Sequence, residues 1–180
     1  MAHVAQLGET PSLIDLFKAY PGIGKHVLGF LEQAFTLSED LSRGECERIA
    51  AYVSAVNQCS YCHTIHAHAA RVCGLDPDVL PGFQESDEAE SEKWRAAYAY
   101  ARQITQQPAV VTTDLTDRCR TAGWSDIAIT QIAMVATGFN LMNRLVDGLG
   151  LEGDTEFLLG AGERLGTISY GGTSEKLGFS

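Results

Sequence analysis

Apolar residues at helical spacing are the feature that most limits the fold of this chain. After Ser42 and Glu45, which form an S-x-x-E capping box, the apolar positions fall at i, i+3, i+4, i+7 and i+10, namely Cys46, Ile49, Ala50, Val53 and Val56. The most β-like run, at 110–112, is too short and too close to Pro108 to predict a strand. The sequence therefore predicts an all-α fold.

Further helices follow from the same periodicity and from terminating residues. They are predicted over 24–36, from about 59 to Gly74, from the acidic stretch 85–92 to before Pro108, over 114–122 and over 125–147. The last is apolar on most sides and is expected to be central. We interpret 1–152 as one domain with a core over about 24–150. The Gly- and Ser-rich segment 153–180 is expected to be an arm that docks on this body or on a neighbouring subunit.

Charge and composition exclude several classes of partner. The 180 residues include 13 Lys and Arg against 23 Asp and Glu, a net charge of −10, and the cations are scattered singly. Neither nucleic acid nor an anionic membrane is therefore an expected partner. The N-terminus lacks a secretory signal pattern, and no apolar run approaches the roughly 20 residues that span a bilayer. We expect a cytoplasmic protein, in which a close cysteine pair is typical of catalysis or metal binding.

The segment QCSYCHTIHAHAA, residues 58–70, has three possible chemical interpretations. C-x-x-C-H is a haem attachment motif, but attachment normally occurs outside the cytoplasm, and the motif lies in a helical segment. A zinc site would take Cys59, Cys62 and His66 and would still need a fourth ligand, and no second ligand pair follows downstream. A redox-active dithiol needs no further element, so we expect neither metal nor haem.

The dithiol interpretation rests on helix geometry. Cys62 and His66 are four residues apart and so lie one turn apart on one face, and Cys59, at the helix start, is within disulfide reach of Cys62. First-turn N–H groups and the helix dipole favour a thiolate at Cys62. The spacing thus supplies a nucleophile, a resolving thiol and a base.

The remaining cysteines and nearby histidines receive simpler interpretations. Cys46, Cys73 and Cys119 are expected to be small buried hydrophobic residues. His63 and His68 point away from the face of His66 and are expected at the surface or at an interface.

Two separated motifs resemble a known family. Glu47, twelve residues before Cys59, followed by C-x-x-C-x-x-x-H through His66, resembles the alkylhydroperoxidase D group of the carboxymuconolactone decarboxylase superfamily. The stretch 47–66 is similar to the peroxidase-related branch of that group. FNLMNRLVDGLG, residues 139–150, is similar to a second, mainly structural signature of the branch. The resemblance covers roughly residues 28–150.

This resemblance implies a compact, homo-oligomeric AhpD-like fold (dimer, trimer or hexamer), with the CxxC at a helix start facing a subunit junction. It implies that Cys62 is the peroxidatic thiol, that Cys59 resolves it, and that Glu47 and His66 relay protons. The implied partners are a hydroperoxide substrate and an external dithiol reductant, a lipoyl or thioredoxin-like protein. One departure is Tyr61, which stands where the best-studied family pattern has a histidine.

The sequence therefore favours a thiol-dependent peroxidase that works through a Cys59–Cys62 disulfide. A cofactor-free lyase of the lactone decarboxylase type is an alternative within the superfamily, although that chemistry does not call for a CxxC. A redox-sensing oligomeric protein is the non-enzymatic alternative, since a sensor needs the same reactive pair.

Overall fold

The computed structural model describes residues 2–80, 82–83 and 91–179. These residues form eight α-helices and three short 3-10 helices, and they contain no β-strand, so the predicted all-α fold is confirmed. The α-helices are α1 (Leu13–Ala19), α2 (Pro21–Phe35), α3 (Arg43–Val56), α4 (Ser60–Val72), α5 (Glu92–Gln106), α6 (Thr113–Thr121), α7 (Asp126–Leu149) and α8 (Thr155–Lys176). Most of the acidic stretch predicted to open α5 lies outside the described residues.

The α3–α4 pair forms where local sequence signals place it. Ser42 accepts a hydrogen bond from the backbone N–H of Glu45, and the Glu45 carboxylate accepts one from the N–H of Ser42, which completes the predicted capping box. The chain turns between the helices at Gln58, which has a positive φ of 59°. Cys59 then occupies the N-cap position of α4 without a side-chain capping bond, and Gly74, with a φ of 93°, follows the C-terminus of the helix.

Helix α7 is central, as its all-round apolar character predicts. It packs on α2, α3 and α5, and Ser125 caps its N-terminus by accepting a hydrogen bond from the N–H of Ala128 at 3.1 Å. The predicted end before Gly148 is wrong by two residues. Gly148 is helical, and the left-handed residue that ends the helix is Gly150, with a φ of 64°.

The Gly- and Ser-rich segment 153–180 contains α8, a helix that the sequence pattern did not predict. Asp154 caps it by accepting a hydrogen bond from the N–H of Phe157 at 2.8 Å, and the helix packs on α4 and α2. Its glycines permit close approach, because a Cβ on Gly162 would lie 2.6 Å from the Ile65 carbonyl oxygen and one on Gly166 only 2.5 Å from Val72 Cβ. These glycines are packing residues rather than linker residues.

Two buried clusters result from this packing. The larger lies around α3, α5 and α7, and the smaller joins the start of α4 to α1, α8 and the end of α7. Cys59, Tyr61 and Cys62 belong to the smaller cluster. Within the described part of the chain, no helix combines the length and the apolar character needed to cross a membrane.

Candidate active site

Both cysteines of the motif lie at the buried N-terminus of α4. Cys59 is the N-cap residue and Cys62 is the third helical residue, and both are free thiols. Their exposed fractions are 0% and 2%. The structure therefore places the pair at a helix start, as the sequence predicts, but in a dry environment.

That environment changes the expected ionisation of Cys62. A hydrogen bond with Cys59 and then burial raise the pKa of the Cys62 thiol well above its usual range, and a hydrogen bond with Asn143 only partly opposes them. The direction is opposite to the one expected from the first-turn N–H groups alone, because the hydrogen bond with Cys59 and desolvation together outweigh the helix terminus. The resting thiol is therefore protonated, and its reaction requires a base.

A base is present one turn further along α4. His66 Nδ1 lies 2.6 Å from an oxygen of Glu47, which projects from α3. Both residues are buried, with exposed fractions of 6% and 0%. Because the carboxylate can only accept, Nδ1 donates to it, and Nε2 is the ring nitrogen left to accept a proton. The edge of the imidazole also packs against Phe139, with ring centroids 4.4 Å apart.

A cavity of about 460 Å³ brings the thiol and the imidazole to one space. Cys62 and His66 both line it, together with residues of α1, α2, α7 and α8. Cys59 and Glu47 are not among the described residues that line this cavity, so each stands behind the residue it contacts. Of the four predicted site residues, Cys62 and His66 thus face the cavity, and Cys59 and Glu47 support them from the protein interior.

Two further residues at this site were not predicted from the sequence. Asn143 on α7 bonds to Cys62, donates to Ser54 Oγ at 3.0 Å and accepts from Asn57 at 2.9 Å. A polar residue on a helix that is apolar on most sides was a usable signal for it, and Gln131 and Asn140 on the same helix share that signal. Tyr170 on α8 is 4% exposed and lines the cavity, and no local pattern in its glycine-rich segment indicated this.

Tyr61, which stands between the two cysteines, has a structural contact. Its hydroxyl accepts a hydrogen bond from the backbone N–H of Leu13, the first residue of α1, at 3.3 Å. Burial raises the pKa of Tyr61 to about 12, so the side chain stays protonated at neutral pH. It joins α1 to α4 at the wall of the cavity.

The other two histidines of the motif make contacts elsewhere. His63 Nδ1 lies 3.0 Å from the carbonyl oxygen of Ala51, and His68 Nε2 lies 3.2 Å from the Glu163 carboxylate. Burial lowers the pKa of His63, so its ring is held neutral. Across the described ranges of the chain, no three or more Cys, His, Asp or Glu side chains are grouped so that they could hold a metal ion.

The three remaining cysteines lie apart from this site. Cys46 and Cys119 are buried, as predicted, and the Cys119 thiol donates to the Ala96 carbonyl oxygen at 3.4 Å. Cys73, expected to be buried, is half-buried because it follows the last residue of α4 near the surface, where it donates to the Gly166 carbonyl oxygen at 3.6 Å.

No protein-family model and no curated protein sequence matches this chain. Solved structures do match. An uncharacterized peroxidase-related protein from Silicibacter sp. TM1040 has a TM-score of 0.73 at 23% identity, over 85% of this chain and 81% of that one. The alkylhydroperoxidase AhpD core of a peroxidase-related protein from Ralstonia eutropha JMP134 has a TM-score of 0.68 at 22% identity, over 82% and 78%.

A third match is a protein of unknown function from Agrobacterium tumefaciens, whose name suggests an AhpD antioxidant defence protein. It has a TM-score of 0.64 at 22% identity, over 77% of this chain and 95% of that one. By its structure, this chain therefore has the all-α fold shared by the AhpD-like and peroxidase-related proteins.

Proposed function

We propose that the protein is a thiol-dependent peroxidase that reduces hydroperoxides through a Cys59–Cys62 disulfide. The observation that carries the proposal is the assembly of a thiol and a carboxylate-bound imidazole on the wall of one cavity, with a second thiol directly behind the first. This arrangement supplies a nucleophile, a base and a resolving group without a metal or haem.

The first step oxidises Cys62. His66 Nε2 takes the thiol proton, and the resulting imidazolium is stabilised by Glu47 through Nδ1. The thiolate attacks the terminal oxygen of the hydroperoxide, the O–O bond breaks, and the alkoxide leaves with the proton from His66 as an alcohol. Cys62 becomes a sulfenic acid, and the peroxide is reduced by two electrons.

The second step closes the disulfide. The Cys59 thiol attacks the sulfur of the Cys62 sulfenic acid, and water leaves with the hydroxyl group and the Cys59 proton. The N-cap position of Cys59, one turn before Cys62, suits this step. An external dithiol then restores both thiols by exchange and is itself oxidised to a disulfide.

The test uses the reduced, full-length protein. We expect an added hydroperoxide to be consumed in the presence of dihydrolipoamide, and mass spectrometry to locate a disulfide between Cys59 and Cys62. Cys62→Ser should abolish turnover, whereas Cys119→Ser, a replacement of a buried thiol on α6, should retain it. Full turnover by Cys62→Ser would rule out this mechanism.

Self-association is a second part of the proposal. Ile23 and Phe30 on α2 are seven residues apart, and so are Ile127, Met134 and Leu141 on α7. All five are at least 41% exposed, and α2 packs beside α7. Two adjacent helices with exposed apolar stripes are typical of an interface.

We expect analytical ultracentrifugation to show a homo-oligomer that Met134→Glu dissociates, with Thr113→Glu, at an exposed residue of α6 outside the two stripes, as the control. A monomeric wild-type protein would contradict this part alone.

A redox sensor is the second candidate function, and the burial of both thiols favours it. A disulfide formed at the junction of α1, α4 and α8 would alter the packing of three helices. If peroxide forms the disulfide and shifts the sedimentation coefficient, yet no dithiol supports turnover, the sensor function replaces the enzymatic one.

A further inference from the structure

The cavity beside Cys62 has walls and a rim of different character. Its deeper walls are apolar and buried, with Leu28, Leu31, Phe139 and Met142 all at most 4% exposed. Its volume of about 460 Å³ lies within the roughly 300–1,000 Å³ typical of small-molecule sites. Such walls select a hydrocarbon group, and they extend well beyond what the smallest peroxides would occupy.

Cations dominate the charged part of the same cavity. Lys18 at the end of α1 and Arg164 and Lys176 on α8 line it with exposed side chains. Asp15 is the single carboxylate among the described lining residues, and it is engaged by Ser12, whose N–H and hydroxyl donate to it at 2.9 and 2.7 Å. Three cations against one acid reverse the balance of the whole chain, which has 13 cations and 23 acids.

We propose that this cavity binds a long-chain carboxylate, with the hydrocarbon chain against the apolar walls and the carboxylate at the rim formed by Lys18, Arg164 and Lys176. Under the proposed function, on which this reaction rests, the substrate is then the hydroperoxide of such an acid. The chain would pass Cys62 and His66, so that a peroxide group along it meets the thiol. Opposite charge at the rim and apolar contact within the cavity select the amphiphile together.

Binding can be measured without any redox chemistry. We expect isothermal titration calorimetry of the reduced protein to give laurate an affinity at least tenfold higher than that of the neutral 1-dodecanol. Arg164→Ala combined with Lys176→Ala should remove this preference, whereas Arg118→Ala, an exposed cation on α6 away from the cavity, should leave it unchanged.

Equal affinities for acid and alcohol, or no binding of either, would overturn the inference. A preference for laurate in a protein that consumes no hydroperoxide would instead preserve the binding site and refute the peroxidase function. The two failures are therefore distinguishable.

A separate observation concerns the Tyr170 hydroxyl. Three buried side-chain polar atoms have no hydrogen-bond partner among the described residues, namely Arg43 Nε, Glu47 Oε1 and Tyr170 OH. They belong to one junction, because the charges of Glu47 and Arg43 both act on Tyr170. Burial and then the Glu47 charge raise the pKa of Tyr170 well above its usual range, so the hydroxyl remains a donor.

The backbone of α8 is distorted to place this side chain. Ser169 has a φ of 66° and a ψ of 174°, a region that is strained for any residue with a side chain. The next residue, Tyr170, packs its ring edge-on against Phe35 at 4.8 Å and lines the cavity with Cys62 and His66. The kink thus places Tyr170 on the wall of the site, with its unpartnered hydroxyl buried at that wall.

We infer that Tyr170 is a catalytic residue that donates a hydrogen bond to the departing oxygen of the hydroperoxide. Negative charge develops on that oxygen as the O–O bond breaks, and a neutral hydroxyl in a dry cavity stabilises it. The proton that completes the alcohol still comes from His66, so the hydroxyl keeps its own proton throughout.

The test compares the rate at which peroxide oxidises Cys62 with the rate at which an alkylating reagent modifies the same thiol. In Tyr170→Phe we expect the single-turnover oxidation of Cys62 by cumene hydroperoxide to slow by about 10²-fold, within the range for loss of one oxyanion donor. Alkylation of Cys62 by iodoacetamide, which has no peroxide oxygen, should change less than twofold. Tyr100→Phe, at a buried tyrosine on α5, should change neither rate.

An unchanged peroxide rate, or an equal fall in both rates, would overturn the role of Tyr170. A wild-type protein that reacts with iodoacetamide but not with peroxide would refute the proposed function and this role with it.

Discussion

Helix α4 is held on two sides by interfaces of different chemistry. On the α3 side, His66 and Glu47 meet at 2.6 Å in the interior. On the α8 side, Gly162 and Gly166 allow the two helix backbones to approach closely. The first interface is specified by charge and hydrogen bonding, and the second by the absence of side-chain volume. Removing one hydrogen-bonding partner should therefore destabilise the α3–α4 interface, and adding side-chain atoms at a glycine should destabilise the α4–α8 interface.

The largest effect is expected at the α3 interface. His66→Ala would leave the buried Glu47 carboxylate without its hydrogen bond, while its other oxygen already lacks a partner within the described chain. Stranding a buried charge in this way costs about 3–5 kcal/mol, which urea denaturation at pH 7 should detect. Adding Glu47→Gln should restore part of the loss, and a loss below about 1 kcal/mol in His66→Ala would show that the buried carboxylate does not depend on His66.

The α8 interface should respond to added volume. Gly166→Val places methyl groups where a Cβ alone would lie 2.5 Å from Val72 Cβ, so we expect a loss of about 1–3 kcal/mol in the free energy of unfolding. Gly148→Ala is the control, because a Cβ there meets nothing within 4 Å, and it should gain about 0.5–1 kcal/mol. Equal effects of the two substitutions would mean that α8 does not pack on α4 as described.

The buried thiols of α3 and α4 predict that the free energy of unfolding depends on pH. Burial raises the pKa of Cys46, and the pKa of Cys62 is raised by Cys59 and by burial. In the unfolded chain both thiols ionise near pH 8.5, while the folded state keeps its protons. The unfolded state therefore binds fewer protons above that pH, and stability falls as pH rises, by up to about 1.4 kcal/mol per pH unit for each thiol.

Urea denaturation at pH 7.5 and pH 9.5 measures this slope. Cys46→Ala should make it shallower, whatever its effect on stability at pH 7.5. A slope that is the same in both proteins would show that the Cys46 thiol does not contribute.

The smallest effect is expected at Tyr61. Tyr61→Phe removes one 3.3 Å hydrogen bond to the Leu13 N–H and keeps the ring, so the free energy of unfolding should fall by about 0.5–1.5 kcal/mol at most. Peroxide consumption should stay within about threefold of the wild-type rate. A much larger loss of turnover would indicate that the tyrosine takes part in proton transfer.

Local signals were sufficient to predict α3 and α4. A capping box, an apolar stripe and a terminal glycine are each decided by residues a few positions apart, and the structure follows them from Ser42 to Gly74. The spacing of Cys59, Cys62 and His66 likewise placed three side chains on one helix start. Glu47 joined them through the family resemblance, since its own helix periodicity placed it only at the edge of the apolar stripe.

The rest depends on contacts between distant residues. Gly166 has a structural role only because Val72 lies opposite, and Tyr170 reaches the cavity only through the kink at Ser169. The ionisation of Cys62 also escaped prediction, because the helix start was visible in the sequence and the burial of that start was not. A glycine-rich composition is typical of both linkers and close helix packing, and sequence periodicity does not distinguish them.

Two residues beside the site also matter for protein engineering. Gln58 and Ser169 are the non-glycine residues with positive φ in the described part of the chain, at 59° and 66°, and each directly precedes a residue of the site, Cys59 or Tyr170. Glycine at either position would relieve strain on the order of 1 kcal/mol. The most direct routes to a thermostable variant thus lie one residue from the chemistry, where added stability would be gained at the risk of misplacing a thiol or a hydroxyl.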